Sequence, residues 1–375
     1  MKYTAKAEAI SRLVTNLRSS GYTVVGPKLI DGAVCLAEVS SVDELAKGVV
    51  DVQAPGSYRT VMSGNRIFSA VNGPYSIKTY LHPGAVGTVR LGSGGNPFNA
   101  EPAFHVDKRY AFLGLRPCEL QAVRVLDSAL MVDGFEDPVY VALRKKSVLI
   151  AVNCGRAGEN CFCASMGTGP KAEDGFDLAI TELPDRLLLE VGEEWIHLLD
   201  GIELSPATAD DIQAEQQMVS EVTANMHKRI DRKDPAGLMY AGLESAVWDE
   251  VAERCLSCGN CTMVCPTCFC STTRDVTDLN SGSVTRVRLW DSCLSKEFTY
   301  AAGGNPRRER KARYRQFVMH KFSYWPDQFK HLYGCVGCGR CITWCPVGID
   351  ISDTVNRVLK EQNEGRSVQE VAKVG

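Results

Sequence analysis

The sequence predicts a mixed α+β or α/β domain followed by an all-helical, cysteine-rich domain. Three observations carry that expectation. Short β-rich runs alternate with helical periods over the first two hundred or so residues. From Gly242 onward, cysteines gather into two near-identical runs. The flanks of those runs, 246–254 and 351–359, have helical apolar spacing.

Taken in order, Ala5, Ile10, Leu13, Val14 and Leu17 recur near helical spacing over 4–19. Strand-like runs follow at 22–25, 33–39, 86–91, 110–115, 148–152 and 187–191. Among them, Leu120, Val123, Leu126 and Leu130 mark a helix over 118–131. Residues 205–240 are polar with weak apolar content and read as a helical linker. This division makes 1–204 the first domain and 241–375 the second. A basic segment (Arg307, Arg308, Arg310, Lys311, Arg313, Arg315) lies between the cysteine runs, and a short helix over 351–362 closes the chain.

Composition narrows the function classes. The 375 residues are 45% hydrophobic and 23% charged, ordinary values for a chain with a real core. A net charge of -3 gives no support to nucleic acid as a partner, and no apolar stretch approaches membrane length. The opening segment MKYTAKAEAI lacks the apolar run of a secretory signal, so a cytoplasmic setting is expected. There, sixteen cysteines point to metal ligation rather than to disulfides.

The spacing of the cysteines says which metal. Cys255, Cys258, Cys261 and Cys265, followed by Pro266, recur as Cys335, Cys338, Cys341 and Cys345, followed by Pro346. Three thiolates two residues apart curl the backbone around a corner of an iron–sulfur cubane; the fourth, before proline, reaches the other cluster. One [4Fe-4S] cluster is therefore expected on Cys255, Cys258, Cys261 and Cys345. A second is expected on Cys335, Cys338, Cys341 and Cys265. A pair of zinc sites fits poorly, because zinc sites use separated pairs. Seventy residues separate Cys265 from Cys335, which favours a helical two-cluster ferredoxin domain over a small ferredoxin.

A third set, Cys118, Cys154, Cys161 and Cys163, suffices for another [4Fe-4S] cluster, with glycines at 155, 158, 167 and 169 allowing close backbone approach. Structural zinc or unligated buried thiols are the alternatives. Cys35, Cys268, Cys270 and Cys293 read as packing, with another metal site as the rival. His331 stands four residues before Cys335, close enough in sequence to tune a cluster. The turn-like glycines of 91–96 lack a dinucleotide fingerprint, and no phosphate-binding P-loop occurs. The basic segment reads as a solvated helix face or as a docking surface for an acidic partner.

Together, Pro55-Gly56-Ser57-Tyr58-Arg59, Gly73-Pro74, Ser76, Lys78, Tyr80, Arg116-Pro117-Cys118-Glu119, Cys161-Phe162-Cys163 and Cys265-Pro266-Thr267-Cys268-Phe269-Cys270 form a joint motif set. It resembles the beta, iron–sulfur subunit of cytoplasmic sulfhydrogenase-type [NiFe] hydrogenases, and is similar to the electron-transfer subunit of anaerobic sulfite reductase. The resemblance implies an electron-transfer subunit of an oxidoreductase complex, with no catalytic site of its own. Its implied partners are a flavin subunit using NAD(P)H and the small and large [NiFe] hydrogenase subunits, or sulfite reductase subunits in the alternative. It also places Cys118, Cys154, Cys161 and Cys163 at family motif positions and turns the basic segment toward a partner. A rival of another class gives the first domain its own anion-binding catalytic site near Tyr58, Lys78 and Arg116. A scaffold whose clusters are not redox-active is a further rival.

Overall fold

A computed structural model describes residues 1–71, 73–92, 99–231, 235–329 and 332–371. His331 and most of the glycine-rich turn at 91–96 lie outside the described residues.

The first domain is built on an eight-stranded sheet. Its centre is parallel: Thr23–Ile30, Tyr110–Leu115, Val148–Val152 and Leu178–Glu182 lie side by side. Antiparallel strands extend both edges, Ala33–Glu38 on one side and Leu187–Val191, Lys2–Ala5 and Ser205–Pro206 on the other. Central strands read as near-continuous apolar runs because both faces are covered. Leu113, Ile150 and Ile180 meet Ile10, Leu13 and Leu17 of the helix Ala9–Ser19. Their alternates Phe112, Leu149 and Ala179 meet Leu120, Val123 and Leu126 of the helix Pro117–Leu130. The helix expected from residue 4 begins at Ala9 instead, since 2–5 is taken into the sheet edge against Leu187–Val191.

The expected linker of 205–240 is divided between the two parts: 205–224 stays on this sheet, while Ile230, Leu238 and Met239 pack into the core of the cysteine-rich part. The helix Ala209–Ala224 opens with a capping box between Thr208 and Asp211. It buries Glu215, which accepts from Thr181 at 2.6 Å and Asn153 at 3.1 Å and pairs with Lys171 at 3.2 Å. A buried carboxylate with that many donors fixes the helix in place.

The cysteine-rich part contains the expected helices, among them Val247–Arg254, Arg310–Met319 and Ile351–Val371, but it is not all-helical. Residues Ser271–Thr277 and Val284–Trp290 form a β-hairpin that pairs with the first domain's Ala85–Leu91. The reason is local: β-branched residues and arginines alternate over 284–290, and a polar loop with Gly282 at φ 68° turns the chain. This hairpin occupies part of the interval between the cysteine runs.

Candidate metal centre

Both cysteine runs fold alike. Positive φ falls at Ser257 (54°) and Gly259 (75°) in the first, and at Gly337 (62°) and Gly339 (77°) in the second. These are matching positions. They turn the Ser257 amide onto the Cys255 sulfur and the Gly337 amide onto the Cys335 sulfur, each at 3.4 Å. Single-turn helices, Asn260–Met263 and Arg340–Thr343, then carry Cys261 and Cys341 inward. Backbone curled this way presents thiolates and amides to one centre, the geometry a cubane needs.

The two runs also exchange their last cysteines. Cys345 lies with Cys255, Cys258 and Cys261, in a pocket closed by Leu294, Tyr314 and Phe317. Cys265 lies with Cys335, Cys338 and Cys341. Burial pushes the Cys335 thiol up to about 12, and burial with sulfur–sulfur repulsion presses Cys261 and Cys341 upward. Four thiolates in so dry a place need a cationic centre among them, so the donor chemistry fits an iron–sulfur cluster. Among the described residues, no three His, Cys, Asp or Glu side chains are placed to hold a single ion.

In the first domain, Cys118 follows the strand Tyr110–Leu115 and Cys154 follows the adjacent parallel strand Val148–Val152. Both therefore sit at carboxyl ends of strands, where open α/β sheets bind ligands. Cys161 and Cys163 complete the set, and burial raises all four thiols. A Cβ on Gly158 would stand 3.3 Å from the Cys161 sulfur, and one on Gly169 3.2 Å from that of Cys163. Gly155 and Gly167 approach no cysteine sulfur.

This set abuts the second cysteine run. Phe162 donates to the Gly337 carbonyl at 2.8 Å, Thr168 to that of Val336 at 2.7 Å, and Asn160 to the Thr343 hydroxyl at 2.8 Å. Cys338 lies within electrostatic reach of Cys118, Cys161 and Cys163. The thiol groups thus form a row: the first-domain set, then the Cys335 group, then the Cys255 group.

Residues 254–349 match the family of 4Fe-4S dicluster domains. Sulfhydrogenase 2 subunit beta of Pyrococcus furiosus is 32% identical over 266 residues, which is 69% of this chain and 75% of the relative. The chain belongs to the sulfhydrogenase beta-subunit family. No solved structure matches it. Among the described residues of this sulfhydrogenase beta-type chain, no helix is long and apolar enough to cross a membrane.

Tyr58, Lys78 and Arg116, grouped in sequence reasoning as an anion site, are each committed elsewhere. Arg116 donates to the carbonyls of Phe68 and Ala70, and Lys78 to those of Thr262 and Met263 at 3.1 and 3.0 Å. Tyr58 stacks on Trp344 with ring centroids 5.0 Å apart. They tie segments together instead of converging on a substrate. The basic segment is partly engaged within the chain: buried Arg313 donates to the Leu294 carbonyl at 2.9 Å and Arg310 to that of Cys255 at 3.1 Å, while Lys311 pairs with Asp249 at 2.7 Å on the surface.

Sequence reasoning missed Lys321 and the Arg340–Glu119 pair. Lys321 sits in a π-helical turn, His320–Tyr324, and reaches the Cys265 sulfur at 3.3 Å. Burial opposes its charge, but Cys265, Cys268 and Cys335 outweigh that and raise its pKa. A lysine amid Phe317, Val318, Met319, Phe322 and Trp325 was the available signal, because lysine is almost never fully buried without a partner.

Gly337 gives a direct test of the junction. A Cβ there would stand 2.7 Å from the Cys163 backbone, whereas the matching position in the first run already holds Ser257. Backbone strain is therefore tolerable at this place and the clash decides. Gly337→Ala is expected to destabilise the chain by about 1–3 kcal/mol in denaturant titration. An unchanged midpoint would refute the contact.

Proposed function

We propose that this chain is an iron–sulfur electron-transfer subunit, relaying electrons between a flavin subunit using NAD(P)H and a [NiFe] hydrogenase module. The observation that carries this reading is the row of three thiol groups: a backbone hydrogen bond ties the first set to the Cys335 run, and the two runs place their last cysteines in each other's group. The proposed ligand sets are Cys255, Cys258, Cys261 and Cys345; Cys335, Cys338, Cys341 and Cys265; and Cys118, Cys154, Cys161 and Cys163. [4Fe-4S] clusters held there supply one-electron redox chemistry, with potentials set by charge, hydrogen bonds and burial. The chain's own residues provide those settings: the Ser257 and Gly337 amides toward sulfur, the Lys321 ammonium beside Cys265, and apolar walls that exclude water. The name of the Pyrococcus relative supports a place in a sulfhydrogenase-type complex.

Anaerobically purified protein is expected to carry about 12 iron atoms and no zinc, as three cubanes require. About 8 iron atoms with one zinc would make the first-domain set structural and end the relay at two clusters.

Lys321 offers a second measurement. A buried positive charge beside a ligand sulfur favours the reduced cluster. Lys321→Met is expected to lower one cluster potential by on the order of 100 mV in an EPR-monitored redox titration, leaving iron content unchanged. Unchanged potentials would remove Lys321 from the tuning set.

A further inference from the structure

The hairpin of residues 271–290 closes at its base on two thiols that belong to none of the three ligand sets. Ser271 faces Trp290, and the Asp291 amide donates to the Cys270 carbonyl at 2.9 Å, adding one rung beyond the strands. The chain then folds back on its own polar groups. The Asp291 carboxylate accepts from the Ser292 amide at 2.7 Å and the Ser295 hydroxyl at 3.0 Å, while the Leu294 amide donates to the Ser292 hydroxyl at 3.1 Å. This turn lays Cys293 over Cys270. The Cys270 sulfur accepts from the Cys293 amide and shares a hydrogen bond with the Cys293 thiol.

Their surroundings are those of a reaction site. The two thiols line one pocket with Cys268, His320, Lys321 and Trp325. Cys270 is partly buried and Cys293 fully so, which leaves the Cys270 side of the pair nearer to solvent. The pair also lies between two ligand groups. Cys293 is within electrostatic reach of Cys261, and Cys270 neighbours Cys268, which hydrogen-bonds Cys265. The hydrogen bond from Cys293 and the nearby Lys321 lower the Cys270 thiol against the upward push of burial.

We infer that Cys270 and Cys293 are a redox-active dithiol–disulfide pair serving as a two-electron site beside the one-electron clusters. The inference rests on the cluster assignment proposed above, since the clusters are its electron partners. In the reducing direction the Cys270–Cys293 sulfur–sulfur bond breaks. Two electrons arrive singly from reduced iron–sulfur clusters, two protons arrive from solvent through the pocket, and two thiols result. Oxidation forms the bond, releases two protons and returns two electrons. The pair thus stores electrons in twos next to carriers that move them singly.

The test uses the full-length, iron-loaded protein. One sample is poised with an oxidising dye and another with dithionite; both are acid-quenched anaerobically, alkylated and mapped by mass spectrometry. The oxidised sample should yield a peptide cross-linked through Cys270 and Cys293, and the reduced sample both cysteines alkylated. Cys293→Ser should keep its iron and take up about two fewer electrons per chain in reductive titration. Both thiols free in both samples, with full iron present, would overturn this inference and leave the cluster reading intact. Iron loss in Cys293→Ser would overturn it by making Cys293 a ligand. Wild-type protein lacking the iron of the two ferredoxin-type clusters would instead refute the cluster assignment.

Discussion

Replacing Cys258 by alanine is expected to remove about four iron atoms per chain and, in the relay proposed above, to stop electron flow from a flavin subunit to a catalytic module. Cys258 is the exposed member of its group, so its side chain contributes little packing and the loss reports on ligation. The exchanged topology sharpens the result. Cys345 is remote in sequence from Cys258 yet lies in the same pocket as Cys255 and Cys261. Cys345→Ala should therefore abolish the same EPR signal as Cys258→Ala, leaving the remaining spectra of the two variants superimposable. If each variant lost a different signal, the exchange of fourth ligands would be wrong. Undiminished iron and electron flow in Cys258→Ala would sink the assignment of that cluster.

Arg340→Met is expected to be the most destabilising substitution outside the ligand sets. Arg340 follows Cys338 and Gly339, and it forms an ion pair with Glu119, next to Cys118 in the first domain. Both side chains are at most 3% exposed, and Arg340 also donates to the Gly73 carbonyl at 2.9 Å. Removing one partner leaves Glu119 as an uncompensated buried charge, apart from the Ile77 amide that donates to it at 2.8 Å. Breaking such a pair costs about 3–5 kcal/mol, whereas replacing both partners with apolar groups is often close to neutral. Calorimetry should show Arg340→Met melting about 10 °C below the parent, with most of that recovered in Arg340→Met combined with Glu119→Leu. Equal melting of the parent and the single variant would show that the pair does not hold the halves together.

Legibility in the sequence followed the range of the interaction. The strands at 110–115 and 148–152 and the helix from 117 were readable because apolar periodicity is local. The ferredoxin-type runs were readable because ligand spacing is local too. The hairpin at 271–290 was hidden beside the louder cysteine pattern, although its alternation was present. Its pairing with Ala85–Leu91 had no local signal, since the partners are nearly two hundred residues apart. The basic segment was only partly legible for a related reason: charge in a sequence does not say which side chain folding will bury, and here Arg313 is buried on the Leu294 carbonyl while Arg308 and Arg310 stay exposed.

By itself, the sequence determined which thiolates share a loop and what metal chemistry such loops suit, because covalent spacing limits how a short backbone can curl around sulfur. Tertiary structure alone decided that the first-domain thiols sit against Cys338, that Lys321 points at Cys265, and that Cys270 meets Cys293. Those contacts arise where distant segments bury their apolar faces against one another. Which polar groups are caught between them depends on the packing of the whole chain and leaves no local mark.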